Sequence, residues 1–217
     1  MAGLIGAGRT EVARCIFGLD RYDEGSIYLE GQELHLRSPK KALCSGIGYV
    51  TEDRRREGIV PLMSVRENIS TAILDQISHW GIIDRKKETE IAQTYIDRFS
   101  IKTPSDAQAI GNLSGGNQQK CCLARMFACS PRLIIFDEPT RGVDVGAKAE
   151  IHKLIESLAK EGISIILISS ELPEILGVSD RVLVMAEGRM TAILDNNNLT
   201  QEEIMSHATL QSPPPKH

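Results

Sequence analysis

Leu133-Ile134-Ile135-Phe136-Asp137-Glu138 is a run of four apolar side chains that ends in two carboxylates. A short segment apolar on both faces predicts a strand at the centre of a sheet covered on both sides. Ligands of open α/β sheets gather outside the carboxyl ends of the strands, which is where this strand delivers Asp137 and Glu138. Working outward, residues 163–169 form a second apolar, strand-sized run and residues 181–185 a third. Between the first two, Ile151, Leu154, Ile155, Leu158 and Ala159 mark one face of a helix stopped by Gly162; Leu172 and Ile175 mark a shorter one. Upstream, residues 25–36 alternate as strand–turn–strand around Glu30-Gly31, and residues 46–51 read as a short buried strand. Strands alternating with helices predict an α/β fold with a mostly parallel sheet flanked by helices.

The block between about residues 62 and 115 breaks that alternation. Ser64 with Glu67 makes a capping box, and Ile91, Tyr95 and Phe99 recur at helical spacing, so it reads as an inserted helical subdomain. A further helix runs from Leu113 to Cys129 and stops at Pro131. The domain body spans residues 1–205; residues 206–217, which end Pro-Pro-Pro-Lys-His, read as a disordered tail without chemistry.

Residues 3–10, GLIGAGRT, fit G-x-x-x-x-G-K-[ST] except that Arg9 stands in place of Lys. Glycines there let backbone N–H groups turn inward around an anion, and the following helix adds its positive end. The Thr10 hydroxyl suits Mg2+, and Asp137 is placed to hold the same ion through water. Glu138 is placed to polarise the water that attacks a γ-phosphate. The pair of motifs predicts a P-loop NTPase that uses ATP and Mg2+. Arg9 keeps the charge of Lys but spreads it over a planar fork, which changes its placement against phosphate.

A third motif, LSGGNQQK at residues 113–120, puts the Ser114 hydroxyl and two bare backbone positions, Gly115 and Gly116, at the start of a helix. That is a second anion site. Nothing in the chain's own phosphate site needs it, but two facing copies or homologous halves could each lend it to the other's nucleotide. A plain capped helix would not explain two consecutive glycines.

Composition agrees with one sizeable domain. The chain has 217 residues, 41% hydrophobic and 25% charged, which excludes a small disulfide scaffold and a disordered polymer. A net charge of −4 argues against a basic nucleic-acid binder. Cysteines 15, 44, 121, 122 and 129 form no C-x-x-C pair and read as reduced, mostly buried thiols of a cytosolic protein. No apolar run reaches the length of a membrane span, so work at a membrane would pass through a partner. Met126, Phe127 and Cys129 read as core, Trp80 as a packing residue toward a membrane subunit, and Arg54 to Arg56 as a solvated loop face.

Taken together, LSGGNQQK, IIFDEP, DEPTRGVDVGAK and YVTEDRRREG resemble the ATP-binding subunits of ABC transporters over roughly residues 3–194. The closest likeness is to the second nucleotide-binding domain of sugar importers of the ribose, galactoside, xylose and autoinducer-2 type. The resemblance implies nucleotide contacts from Gly3, Gly6, Ala7, Gly8, Arg9, Thr10 and Glu11, and from Ser114, Gly115, Gly116, Asn117 and Gln118. It implies metal binding by Thr10 and Asp137, base catalysis by Glu138, and a loop at Glu52 that senses Mg2+ and the membrane subunit. Asp144 falls in the loop that touches the opposite domain, and Ser170 falls where the family has a switch histidine.

The partners implied are a second nucleotide-binding domain (a homologous half or another copy), transmembrane permease subunits and, indirectly, a solute-binding protein, with no nucleic acid. The place implied is cytoplasmic, peripheral on the inner face of the membrane. Three departures stand out: Arg9 for Lys, Glu52 for Gln and Ser170 for His. A hydroxyl cannot give the charged, orienting contact of an imidazole, and Glu52 is expected to prefer Arg54 to Arg56. The domain's own site is therefore expected to turn over slowly, its main contribution being the signature lent to a partner. Because only two residues precede Gly3, too few for the usual strand, a truncated chain of low stability and weak nucleotide affinity is expected. The solute is set by the membrane and solute-binding partners.

Overall fold

The computed structural model of the chain describes residues 1–209. Its first half runs β1 (Ala2–Gly3), α1 (Arg9–Phe17), β2 (Ile27–Leu29), β3 (Gln32–Leu34), α2 (Pro39–Cys44), β4 (Ile47–Val50), a π-helical turn at Arg54–Gly58, α3 (Val65–Ser70) and α4 (Leu74–Ile77). Then follow β5 (Ser78–His79), β6 (Ile82–Ile83), α5 (Arg85–Arg98), α6 (Gly115–Ala128), β7 (Leu133–Asp137) and α7 (Val145–Lys160). The chain closes with β8 (Ser164–Ile168), α8 (Leu172–Val178), β9 (Arg181–Ala186), β10 (Arg189–Asp195) and α9 (Gln201–Ala208). Strand orders are β1–β9–β10 and β4–β7–β8, with β2–β3 and β5–β6 as separate hairpins.

Two compact units divide these elements. One comprises Met1–Ser45, Ile135–Glu138 and the described residues from Ile165 on; the other comprises Gly46–Ile134 and Pro139–Ser164. In the first unit β1 lies parallel to β9, with Ala2 opposite Val184 and Gly3 opposite Met185. Ala2, Phe136, Ile175, Val182, Val184 and Ile204 are completely buried there. The phosphate loop thus leaves from a two-residue strand, where no strand was expected.

The second unit holds the helical block. Val65, Ile69, Ile110, Leu123 and Ile151 are fully buried, and Phe99 packs between the Tyr95 ring (6.1 Å between centroids) and the Phe127 edge (5.2 Å). Arg98 lies over the Phe99 and Phe127 rings and pairs with Glu161, covering apolar surface with its stem and charge at once. Glu88 is buried yet satisfied: the Ser70 hydroxyl donates to it at 2.7 Å and Arg85 at 2.9 Å. Its neutralisation inside the unit follows the rule that buried charge is paired. The Ser64–Glu67 capping box forms as its spacing predicts.

Other expectations change. β10, antiparallel to β9, had no clear sequence signal, because a register shift between Met190 and Ala192 breaks its alternation. The helical block contains the β5–β6 hairpin, and Trp80 sits fully exposed in its turn. On α7 the buried stripe is Ile151, Ile155 and Leu158, with Ala159 turned to solvent. α9 is capped by a Thr200–Glu203 box and buries Ser206 and Ala208, so residues 206–208 belong to the fold rather than to the expected tail. Residues 210–217 of that tail lie outside the described residues.

The cysteines are free, but only Cys121 and Cys122 are buried, whereas Cys44 is exposed. Burial pushes the Cys121 thiol up to about 12 and raises Cys122 as well. A thiol-exchange reagent at pH 8 should therefore label Cys44 rapidly and leave Cys121 and Cys122 unlabelled until the chain is unfolded. Peptide mapping after labelling checks this; early modification of the 121–122 pair would contradict it.

Candidate functional site

The loop at residues 3–10 bends back on itself, with the Ala7 N–H donating to the Leu4 carbonyl at 3.1 Å. The Ala7 carbonyl accepts from the Gly188 N–H at 3.2 Å, which ties the loop to the β9–β10 turn. Gly8 sits at the N-cap of α1 with φ 92°, and a Cβ there would come within 3.2 Å of the Gly188 backbone. Only glycine takes that conformation without strain. It also brings no capping side chain, so the first N–H groups of α1 remain open to an anion in the loop. Glu11, in the first turn, points to solvent.

Chemistry converges where β7 ends. The Thr10 hydroxyl donates to Asp137 at 3.2 Å, and Asp137 is completely buried. The Glu138 N–H donates to the Ile168 carbonyl at 2.9 Å, anchoring it to the end of β8. One Glu138 oxygen accepts from the Ser170 hydroxyl at 3.1 Å; the other lies 3.8 Å from the Arg9 guanidinium. Arg9 is itself buried and donates to the Ser169 carbonyl at 2.6 Å. Burial raises the Glu138 carboxyl above its ordinary value, with the Ser170 bond and the Arg9 charge pulling it partly back.

The residues fit the groups the sequence implies. A hydroxyl and a carboxylate within hydrogen-bond distance are hard oxygen donors of the kind Mg2+ takes, and the uncapped end of α1 suits phosphate. Ser169 was not foreseen: its carbonyl holds Arg9 and its hydroxyl donates to Glu174 at 2.8 Å. A backbone acceptor leaves no trace in side-chain motifs.

In the second unit Ser114 stands at the N-cap of α6 but does not cap it. Its oxygen accepts from the Asn117 amide at 2.9 Å, and the Asn117 carbonyl oxygen accepts from the Lys102 N–H at 2.8 Å. The helix end is therefore left open. Gln118 is turned inward, its amide donating to the Leu113 carbonyl at 3.0 Å and reaching those of Ile110 and Gly111, so its side chain braces the preceding turn. Asp144 caps α7 by accepting from the Ala147 N–H at 2.9 Å.

Glu52 pairs with Arg141, not with residues 54–56. Arg55 and Arg56 are exposed as expected of a loop face, but Arg54 is buried. Among the described residues no helix is long and apolar enough to cross a membrane.

An open helix end, a Thr–Asp oxygen pair and a carboxylate of raised pKa, carried on an α/β sheet, define a P-loop nucleotide-binding protein. The protein-family model described as "ABC transporter" matches residues 1–141, and the chain belongs to that family. It is 50% identical over 209 residues to the ribose import ATP-binding protein RbsA of Geobacillus kaustophilus, which covers 96% of this chain and 42% of that one. It is 52% identical over 210 residues to the xylose import ATP-binding protein XylG of Photobacterium profundum, covering 96% and 41%. The chain thus spans about two fifths of the length of these relatives.

Among solved structures, a nucleotide-free ATP-binding cassette from an ABC transporter shares the fold at TM-score 0.79 and 22% identity, covering 91% of this chain and 79% of that one. The cassette MJ0796, in a dimeric post-hydrolysis state bound to ADP and Pi, does so at 0.75 and 19%, covering 90% and 84%.

Proposed function

We propose that this chain is an ATP-binding and ATP-hydrolysing module that energises import of a sugar or sugar-like solute, working against a second nucleotide-binding domain on the cytoplasmic face of a permease. The observation that carries the reading is the open N-terminus of α6, where Ser114 bonds sideways to Asn117 instead of capping. An uncapped, dipole-positive helix end at the signature motif suits a phosphate supplied from outside the chain. Val145, beside Asp144, stands exposed at the start of α7, as a surface facing another module would have it.

In the chain's own site, Thr10 and Asp137 would hold Mg2+, which neutralises phosphate charge when bound. Glu138 accepts a proton from the attacking water in its ionised form. The Ser170 hydroxyl fixes one carboxylate oxygen and Arg9 lies by the other, so the acid is oriented before substrate arrives. A glutamate in this state favours hydrolysis at the chain's own site over a role confined to lending the signature.

ATP-driven sugar uptake into vesicles carrying the permease and the complete ATP-binding subunit tests the reading. Ser114→Arg should cut uptake at least tenfold while ATP affinity of the isolated chain stays within twofold. Unchanged uptake would remove the trans role of α6.

A further inference from the structure

Arg54 opens the π-helical turn and is only 8% exposed, yet its hydrogen bonds go to backbone carbonyls and not to a carboxylate. Its two terminal nitrogens donate to the carbonyls of Arg141 (3.0 Å) and Gly142 (3.1 Å), and its buried Nε has no partner. Carbonyl dipoles orient a guanidinium but do not cancel its charge. Burial and the neighbouring Arg55 depress its pKa, with Cys122 and Asp53 pulling it partly back. A buried cation that only the adjacent Asp53 offsets is costly, and a further anion that reaches it stabilises it.

That cation lies against the signature. A Cβ on Gly115 would fall 2.5 Å from a terminal nitrogen of Arg54 and 3.5 Å from the Gly142 carbonyl. A Cβ on Gly116 would fall 2.9 Å from Ala147. The two consecutive glycines thus leave the room that Arg54 and Ala147 take up inside the chain, a reason the motif itself does not reveal. Glu52 adds a second tie by pairing with Arg141, so residues 52 and 54 together grip the turn that leads to Asp144. Rare π-helical turns occur often at functional positions, and here one aims Arg54 along this path.

We infer that Arg54 is a positioning residue of the signature site: it locks residues 141–142 against Gly115, and its positive charge, held beside the end of α6, adds to the anion site that this helix end begins. The anion it serves is the polyphosphate of a nucleotide held by the facing module. This role rests on the trans reading proposed above and names what makes pairing depend on nucleotide. Removal of the charge should weaken pairing while leaving the chain's own phosphate loop untouched.

The test compares ATP-dependent pairing, by sedimentation velocity, of the unsubstituted chain, Arg54→Met and Arg54→Ala. Each is tested against itself and against the complete Geobacillus kaustophilus relative. Both variants should pair at least tenfold more weakly, with ATP affinity of the unpaired chain within twofold. Millimolar guanidinium, but not equal urea, should restore part of the Arg54→Ala pairing.

A geometric check is independent of pairing and keeps the contact testable if one variant folds poorly. Gly115→Ala should lower the melting temperature of the unsubstituted chain more than that of Arg54→Ala. Pairing equal in all three chains, absence of guanidinium rescue, or identical Gly115→Ala effects would overturn the role of Arg54. Failure of the unsubstituted chain to pair with either partner would instead sink the trans reading itself.

Discussion

If Glu138 is the general base proposed above, Glu138→Gln should lower nucleotide turnover by about 10²–10⁴-fold, the range expected when a positioned general base is removed, while nucleotide binding survives. The amide has the shape of the carboxyl but cannot accept the proton of the attacking water. Thr10, Asp137 and the open end of α1 are not touched by the change, so binding should persist. Steady-state turnover set beside equilibrium ATP binding checks both halves. Turnover within threefold of the unsubstituted chain would assign the base elsewhere.

The same variant carries a pH signature. Glu138 is raised in the folded state, so between its unfolded and folded pKa values the folded chain binds more protons than the unfolded chain. Its contribution to stability is therefore most favourable below the unfolded value and is lost as pH rises through the folded one. Glutamine does not titrate. The melting temperature of Glu138→Gln relative to the unsubstituted chain should rise with pH across that window and then level off. A flat difference would mean that burial is not the dominant influence on this carboxyl.

Phe136→Ala should cost about 3–5 kcal/mol, the usual range for truncating a buried Phe. The side chain is completely buried, in the strand that delivers Asp137 and Glu138. At about 2–4 °C per kcal/mol for a chain of this size, melting falls by roughly 6–20 °C. Calorimetry measures it directly, and a loss under about 1 kcal/mol would show that the neighbouring strands refill the space.

Local patterns made the framework legible. The apolar run of β7, the Ser64–Glu67 box and the alternation around Glu30-Gly31 are each complete within a few residues, and each formed the element predicted. β10 was hidden because its alternation is broken, and the extent of α9 because its burial depends on β9 and β1 rather than on its own sequence. Within the candidate site, Thr10 could be named from the glycine-rich loop and Asp137 and Glu138 from the end of the apolar run, whereas Ser170 was named only through the family resemblance.

By itself, then, the sequence determined a P-loop sheet with two carboxylates at its edge and a glycine-rich signature at the start of a helix, because backbone periodicity and local sterics act over a few residues. Only the tertiary structure decided which groups these residues meet. Arg9 meets a carbonyl 160 positions away, Arg54 reaches carbonyls 87 and 88 positions away, and Glu52 chooses Arg141 over the arginines beside it. Such pairings are chosen by the folded backbone, which brings distant carbonyls into range and shields them from water, and no spacing rule along the chain contains that information.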